Sequence, residues 1–121
     1  IADRGPHATL AFNLGNALYT AEDIEGACHA FLDATQLDPN HVGAWNNLAN
    51  ILAELDRLDE ACSAYRHALA LDSALVDAHF NLAQTLVELG RPAEAVLHWR
   101  AYLAADSDSI WADYARERLE T

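Results

Sequence analysis

Between residues 42 and 55, apolar side chains return at Trp45, Leu48, Ile51, Leu52 and Leu55. This i, i+3, i+4, i+7 spacing predicts an amphipathic helix over 42–54, with one face buried and the other polar. The pattern breaks at Asp56-Arg57 and resumes over 58–71, where Leu58, Ala61, Cys62, Tyr65, Ala68, Leu69 and Leu71 form the buried set of a second helix. The small Ala61 and Ala68 let the partner helix approach closely, and the ring of Tyr65 fills the gap between units. Upstream, Asp38-Pro39-Asn40 stops the preceding helix, since a proline disfavours helical geometry in the residue before it.

This helix pair is one of three. Shifting the sequence by the interval from Asn13 to Asn47 lays Asn13-Leu14-Gly15-Asn16 on Asn47-Leu48-Ala49-Asn50, and a second such shift lays it on Asn81-Leu82-Ala83-Gln84. The same shift stacks Gly26-Ala27-Cys28 on Glu60-Ala61-Cys62 and Glu94-Ala95-Val96, with Phe31, Tyr65 and Trp99 following the alanine at a constant distance. Leu37-Asp38-Pro39, Leu71-Asp72-Ser73 and Ala105-Asp106-Ser107 close the units, and Pro92 suits the first turn of its helix. The expected organisation is units at 8–41, 42–75 and 76–109, a tail or linker at 1–7, and a capping helix at 110–121. In the cap, Ile110, Trp111, Tyr114, Ala115 and Leu119 supply the apolar side chains. Ser109 is its N-cap, with Asp113 near the start and Arg116 and Arg118 near the end, as the helix dipole favours. A stack of repeats needs such a cover at its end. The outer face of the first unit has none, so upstream sequence or another copy of the chain is expected there.

Composition narrows the function classes. The 121 residues hold 19 acidic and 7 basic side chains, all seven of them arginine, for a net charge of −12. Nucleic acid and anionic membranes require clustered positive charge, so neither is an expected partner. No apolar run approaches the roughly 20 residues of a membrane span. Opening on Ile1 and containing no methionine, the chain reads as a piece of a longer polypeptide. Its lysine-free, alanine-rich composition points to a GC-rich bacterial source. Cys28 and Cys62 fall at equivalent places on adjacent units, too far apart to pair, and are expected to be reduced in a cytoplasmic setting. His7, His29, His41, His67, His79 and His98 fall on different helices or turns, without the i, i+4 spacing beside an acid that a helical zinc site needs. Phosphate loops and nucleophile elbows are absent from the sequence. The chain is therefore expected to be non-catalytic, with no metal and no cofactor, and His79 stands where the preceding unit has Trp45.

The repeat resembles the tetratricopeptide repeat family, whose pattern is W-x2-L-G-x2-Y…A-x3-F…P. The chain supplies Trp45-x2-Leu48-Ala49-x2-Leu52…Ala61-x3-Tyr65…Ser73, with Ala11, Leu14, Gly15, Leu18, Ala27, Phe31 and Pro39 before it. His79, Leu82, Ala83, Leu86, Ala95, Trp99 and Ser107 follow. Leucine replaces the tyrosine, and serine twice replaces proline. The resemblance implies an all-α, right-handed α-solenoid of about seven helices, whose first helices line a concave groove that binds peptides or partner proteins.

By that resemblance the groove carries Phe12, Asn13, Asn16 and Tyr19 from the first unit, and Asn46, Asn47, Asn50 and Glu54 from the second. Asp77, Phe80, Asn81, Gln84 and Glu88 come from the third. Asn13, Asn47 and Asn81 form one amide row, and Asn16, Asn50 and Gln84 a second, one helical turn on. A carboxamide offers both a donor and an acceptor to a peptide backbone, so such rows could grip an extended chain, as in the resembling asparagine ladder of O-linked N-acetylglucosamine transferases; they could equally tie neighbouring helices together. The peptide-end clamp of chaperone cofactors matches at Asn16 and Asn47, but Phe12, Asp77 and Asn81 stand where its basic residues belong. Glu54, Asp77 and Glu88 make the groove negative, while Phe12, Tyr19, Phe80 and Val87 add apolar surface. The expected partner is a basic or amide-rich peptide or protein with apolar anchors. The alternatives are a regulatory or substrate-presenting arm of a larger bacterial enzyme or transcription regulator, and a homo-oligomer built through the uncovered first unit.

Overall fold

The computed structural model describes residues 5–120, and these form seven helices and no strand. They are α1 (Gly5–Thr20), α2 (Ile24–Leu37), α3 (Val42–Glu54), α4 (Leu58–Leu71), α5 (Val76–Glu88), α6 (Pro92–Ala105) and α7 (Ile110–Glu120). Each helix packs on the next in sequence, and α3 also touches α5. The result is an all-α solenoid of stacked antiparallel pairs. α1 begins at Gly5, so the end of the expected tail, from Gly5 to His7, is helical; Pro6 sits in its first turn, where a missing N–H costs nothing. Residues 1–4 of that tail, and Thr121 of the expected cap, lie outside the described residues.

Two turns recur at the repeat period. Glu22, Asp56 and Gly90, at equivalent positions of the three units, adopt the left-handed conformation with φ of 66°, 61° and 76°. This conformation closes the first helix of each pair. Asp23, Arg57 and Arg91 donate their N–H groups back to Leu18, Leu52 and Leu86, each at 2.8 Å, which satisfies carbonyls the helix end would leave open. Between pairs, Asp38, Asp72 and Asp106 end α2, α4 and α6 in extended geometry. Their carboxylates accept the N–H of Asn40, Ala74 and Asp108. This aspartate turn explains why serine can stand in for proline at the next position.

The core is built from small residues that let helices touch and aromatics that fill the space between pairs. Ala27, Ala61 and Ala95 are fully buried at equivalent sites, as are Phe31, Tyr65 and Trp99. Leu71, expected inside, is exposed at the end of α4. α7 buries Ala112 and Ala115 and is capped by Ser109, whose hydroxyl accepts the Ala112 N–H at 3.1 Å. Ile110 and Trp111 of that helix are exposed. At the other end, Leu10 and Leu14 are 66% and 54% exposed, whereas Leu48 and Leu82, the equivalents of Leu14, are 4% and 0%. Among the described residues, no pair precedes α1 to cover it.

Candidate functional site

The first helices of the pairs lie side by side, and three hollows open along them. The first, of about 460 Å3, lies between α1 and α3 over α2 and is lined by Asn16, Tyr19, Phe31, Asn47, Asn50, Ile51 and Glu54. The second, of about 280 Å3, is lined by Asn50, Ala53, Glu54, Tyr65, Asn81, Gln84, Thr85 and Glu88. Every residue of the first hollow has its counterpart, one repeat further on, in the second. The two are one site repeated, with Phe31 becoming Tyr65, Ile51 becoming Thr85 and Tyr19 becoming Ala53. A third hollow, of about 300 Å3, lies between α5 and α7 and is lined by Asp77, Phe80, Asn81, Tyr102 and Trp111.

The hollows gather ten of the thirteen residues expected from sequence: Asn16, Tyr19, Asn47, Asn50, Glu54, Asp77, Phe80, Asn81, Gln84 and Glu88. Phe12, Asn13 and Asn46 line none of them. The Phe12 ring packs between those of Phe31 and His41, at 5.8 and 4.7 Å, and so belongs largely to the core. Asn13 is exposed on α1. Asn46 is half-buried, and its Oδ1 accepts no hydrogen bond among the described residues. Phe80 is almost fully buried and shows a partner little more than an edge. The floors were missed: Phe31, Ile51 and Tyr65 read as core and Trp111 as cap, while Thr85 and Tyr102 were not singled out in the sequence. Shifting the first hollow's residues by the repeat period would have found the second.

The amides do not run as two parallel rows. Asn47 Nδ2 donates to Asn16 Oδ1 at 3.1 Å, and Asn81 Nδ2 to Asn50 Oδ1 at 3.3 Å. Each bond joins one row to the other diagonally across two pairs. Asn50 Oδ1 also accepts the Tyr65 hydroxyl at 2.5 Å, and Gln84 Nε2 donates to Tyr114 on α7 at 3.4 Å. Burial pushes the Tyr65 phenol well above its ordinary pKa, with Cys62 adding to the rise and a hydrogen bond from Asn81 opposing it. These bonds order the groove wall, yet a carboxamide has more capacity than they use. The Asn47 oxygen and the Asn16 nitrogen remain open among the described residues. Tyr19 donates to Glu54 at 3.4 Å. No salt bridge to Glu54, Asp77 or Glu88 forms among the described residues, so the groove keeps their negative charge.

The histidines depart from expectation in one respect, because His79 on α5 and His98 on α6 meet with their Nδ1 atoms 3.0 Å apart. His79 also bonds the Ser73 carbonyl, just as the Trp45 indole N–H bonds the Pro39 carbonyl one unit earlier. It therefore takes over the structural bond of the residue it replaces. Burial, and then His79, lowers the pKa of His98. No group of three or more His, Cys, Asp or Glu is placed to hold a metal among the described residues. Cys28 and Cys62 are free and buried, and burial raises the pKa of both thiols, which disfavours the reactive thiolate. No helix among the described residues is long and apolar enough to cross a membrane.

Two tetratricopeptide repeat family models match the chain, over residues 12–76 and 64–97. Among solved structures it is similar to the TPR domain of OM64 from Arabidopsis, with a TM-score of 0.88, 23% identity and 96% of each chain covered. It is similar to the first TPR of Spaghetti bound to an HSP90 peptide, with a TM-score of 0.85 and 18% identity over 93% of this chain and 90% of that one. It is also similar to YrrB, described as a TPR protein with an unusual peptide-binding site, at a TM-score of 0.82 and 24% identity over 91% of this chain and 57% of that one. At these identities the likeness is one of fold. Comparison with curated protein sequences gave no match.

Proposed function

The chain belongs to the tetratricopeptide repeat family, and from that premise we propose that it is a non-catalytic scaffold that holds an extended segment of a partner protein along its groove. Units 8–41, 42–75 and 76–109 present the groove, and 110–121 close its end. The observation that carries this reading is the repeated hollow: two sites of one register, each flanked by an asparagine pair, suit a partner that is itself a repeating chain. Asn16 and Asn47 would meet successive peptide groups, Tyr19, Phe31 and Ile51 would take an apolar anchor, and Glu54 and Glu88 would favour basic or amide-rich sequence. Two relatives in fold are described with peptides or peptide sites, which supports the class of partner and not its identity. Free buried cysteines fit a reducing, cytoplasmic setting.

The test is selection of binders from a random-peptide display library, followed by affinity measurement on wild type and on the Asn47→Ala/Asn81→Ala variant. With equal helix content by circular dichroism, the variant should bind about tenfold more weakly, as loss of two hydrogen bonds implies. Unchanged affinity would return the asparagines to a structural role. The acidic peptide SRMEEVD, bound by Spaghetti, should not bind here, since Asp77 and Glu88 would face its carboxylates.

A second reading rests on Leu10 and Leu14, which are open where their equivalents are covered. A second copy could pack on this face. A Leu10→Ser/Leu14→Ser variant would then sediment as a smaller species than wild type, and a wild type that stays monomeric at high concentration would sink the idea.

A further inference from the structure

The third hollow differs from the other two in kind. Asp77 and Trp111 occupy the same register, one repeat apart, where the earlier units have Thr9 and Gly43. They flank Phe80, whose ring meets those of Trp111, Tyr102 and Tyr114 at 5.7, 5.1 and 5.7 Å. Trp111 is 58% exposed, and its indole forms an open wall. Asp77 lines the same hollow, is exposed, and has no salt bridge among the described residues. An indole face attracts a cation through its quadrupole, and a neighbouring carboxylate adds direct charge attraction. The same aromatic cluster already carries one cation: the Arg118 guanidinium lies 4.5 Å from the centre of the Tyr114 ring. Asn81 links the hollow to the amide bonds of the groove, so a segment held along those amides would bring a side chain to its mouth.

We propose that the hollow between α5 and α7 seats the cationic side chain of an arginine or lysine in the partner segment, between the Trp111 indole and the Asp77 carboxylate. This rests on the reading of the groove as a peptide site and gives that peptide a charge requirement at one end. The occupant is a basic peptide because Asp77 on the hollow's wall and a net charge of −12 favour cations and repel anions.

The experiment follows the Trp111 indole N–H by NMR while capped Ala-Arg-Ala is added to the whole chain, with capped Ala-citrulline-Ala as the neutral isostere. Arginine should give a saturating shift that citrulline does not, weakening with added salt. Asp77→Asn, an exposed substitution that leaves the core untouched, should weaken arginine binding about fivefold. Trp111→Ala should abolish the corresponding shift at the Asn81 side chain. Equal responses to arginine and citrulline, or no effect of Asp77→Asn, would overturn the proposal. So would a Trp111 shift caused by raising protein concentration alone, which would assign the hollow to a second copy. Side-chain amide signals of Asn16 and Asn47, followed with a selected groove peptide, keep the two readings apart. Movement there with Trp111 silent defeats the cation seat and leaves the groove standing; an arginine-specific Trp111 shift with those amides silent supports the seat and defeats the groove.

Discussion

The hollow between α1 and α3 and the hollow between α3 and α5 share one register and one pattern of asparagines, yet offer a partner different surfaces. The first has an apolar floor of Phe31 and Ile51 beside the Tyr19 ring. In the second, Tyr65 and Thr85 bring hydroxyls to the same places, Ala53 removes the ring, and Glu54 and Glu88 both border the opening. The Tyr65 hydroxyl is committed to Asn50, while Phe31 has no hydroxyl to offer the counterpart side chain of Asn16, which accepts from Asn47. A repeated backbone therefore yields a graded series of sites, apolar first and acidic later. The chemistry of each is set by a few side chains that the helix geometry does not constrain.

The strongest test of this contrast removes a floor. Phe31→Ala should cost about 3–5 kcal/mol, because the ring is buried between pairs and its loss leaves a cavity. Urea unfolding followed by circular dichroism measures it, and a cost under about 1 kcal/mol would mean that the first hollow already collapses around the gap. Tyr65→Phe converts the second floor to the first type and should cost about 1–2 kcal/mol through the lost bond to Asn50. It also tests a sign. The Tyr65 pKa is raised in the fold, so its contribution is complete below the ordinary tyrosine pKa near 10 and is lost as pH rises beyond it. Wild type should destabilise more than Tyr65→Phe in alkaline melts.

The turns that end the far walls of the two hollows give a smaller effect. Asp56 holds the left-handed conformation after α3, and Gly90 the same one after α5. Asp56→Gly should stabilise by about 1 kcal/mol and Gly90→Ala destabilise by a similar amount, since only glycine adopts that conformation freely. Thermal melts of the pair would show opposite shifts. The smallest effect lies beyond both hollows, at the start of the cap. Hydroxyls of Ser109 and Tyr102 hold the Asp106 carboxyl at about 2, below its ordinary 3.8. Its contribution is present above the ordinary value and fades as pH falls towards 2. The Asp106→Asn variant should lose less stability than wild type between those limits.

Much of the fold was legible in the chain. The spacing of Trp45, Leu48, Ile51 and Leu52 predicted a helix over 42–54, and α3 has those bounds; Leu58 to Leu71 likewise frame α4. Apolar periodicity reports which residues share one face of one helix, and a strict repeat register carries that information from unit to unit. The start of α1 was less visible, because Gly5-Pro6 looks like linker composition even though proline is at home in a first turn.

Contacts between helices were not legible in the same way. The two asparagine rows follow from sequence, but their diagonal joining follows from how far each pair is displaced relative to the last, a quantity set by ridge-and-groove packing and not by period. The same displacement brings Trp111 to Asp77's side of the groove, while packing within the third pair brings His79 to His98. It also leaves Phe80 nearly closed. Local spacing reads a face because a helix repeats every few residues; which faces meet, and what hollow remains between them, depends on side-chain volumes summed over three or more helices.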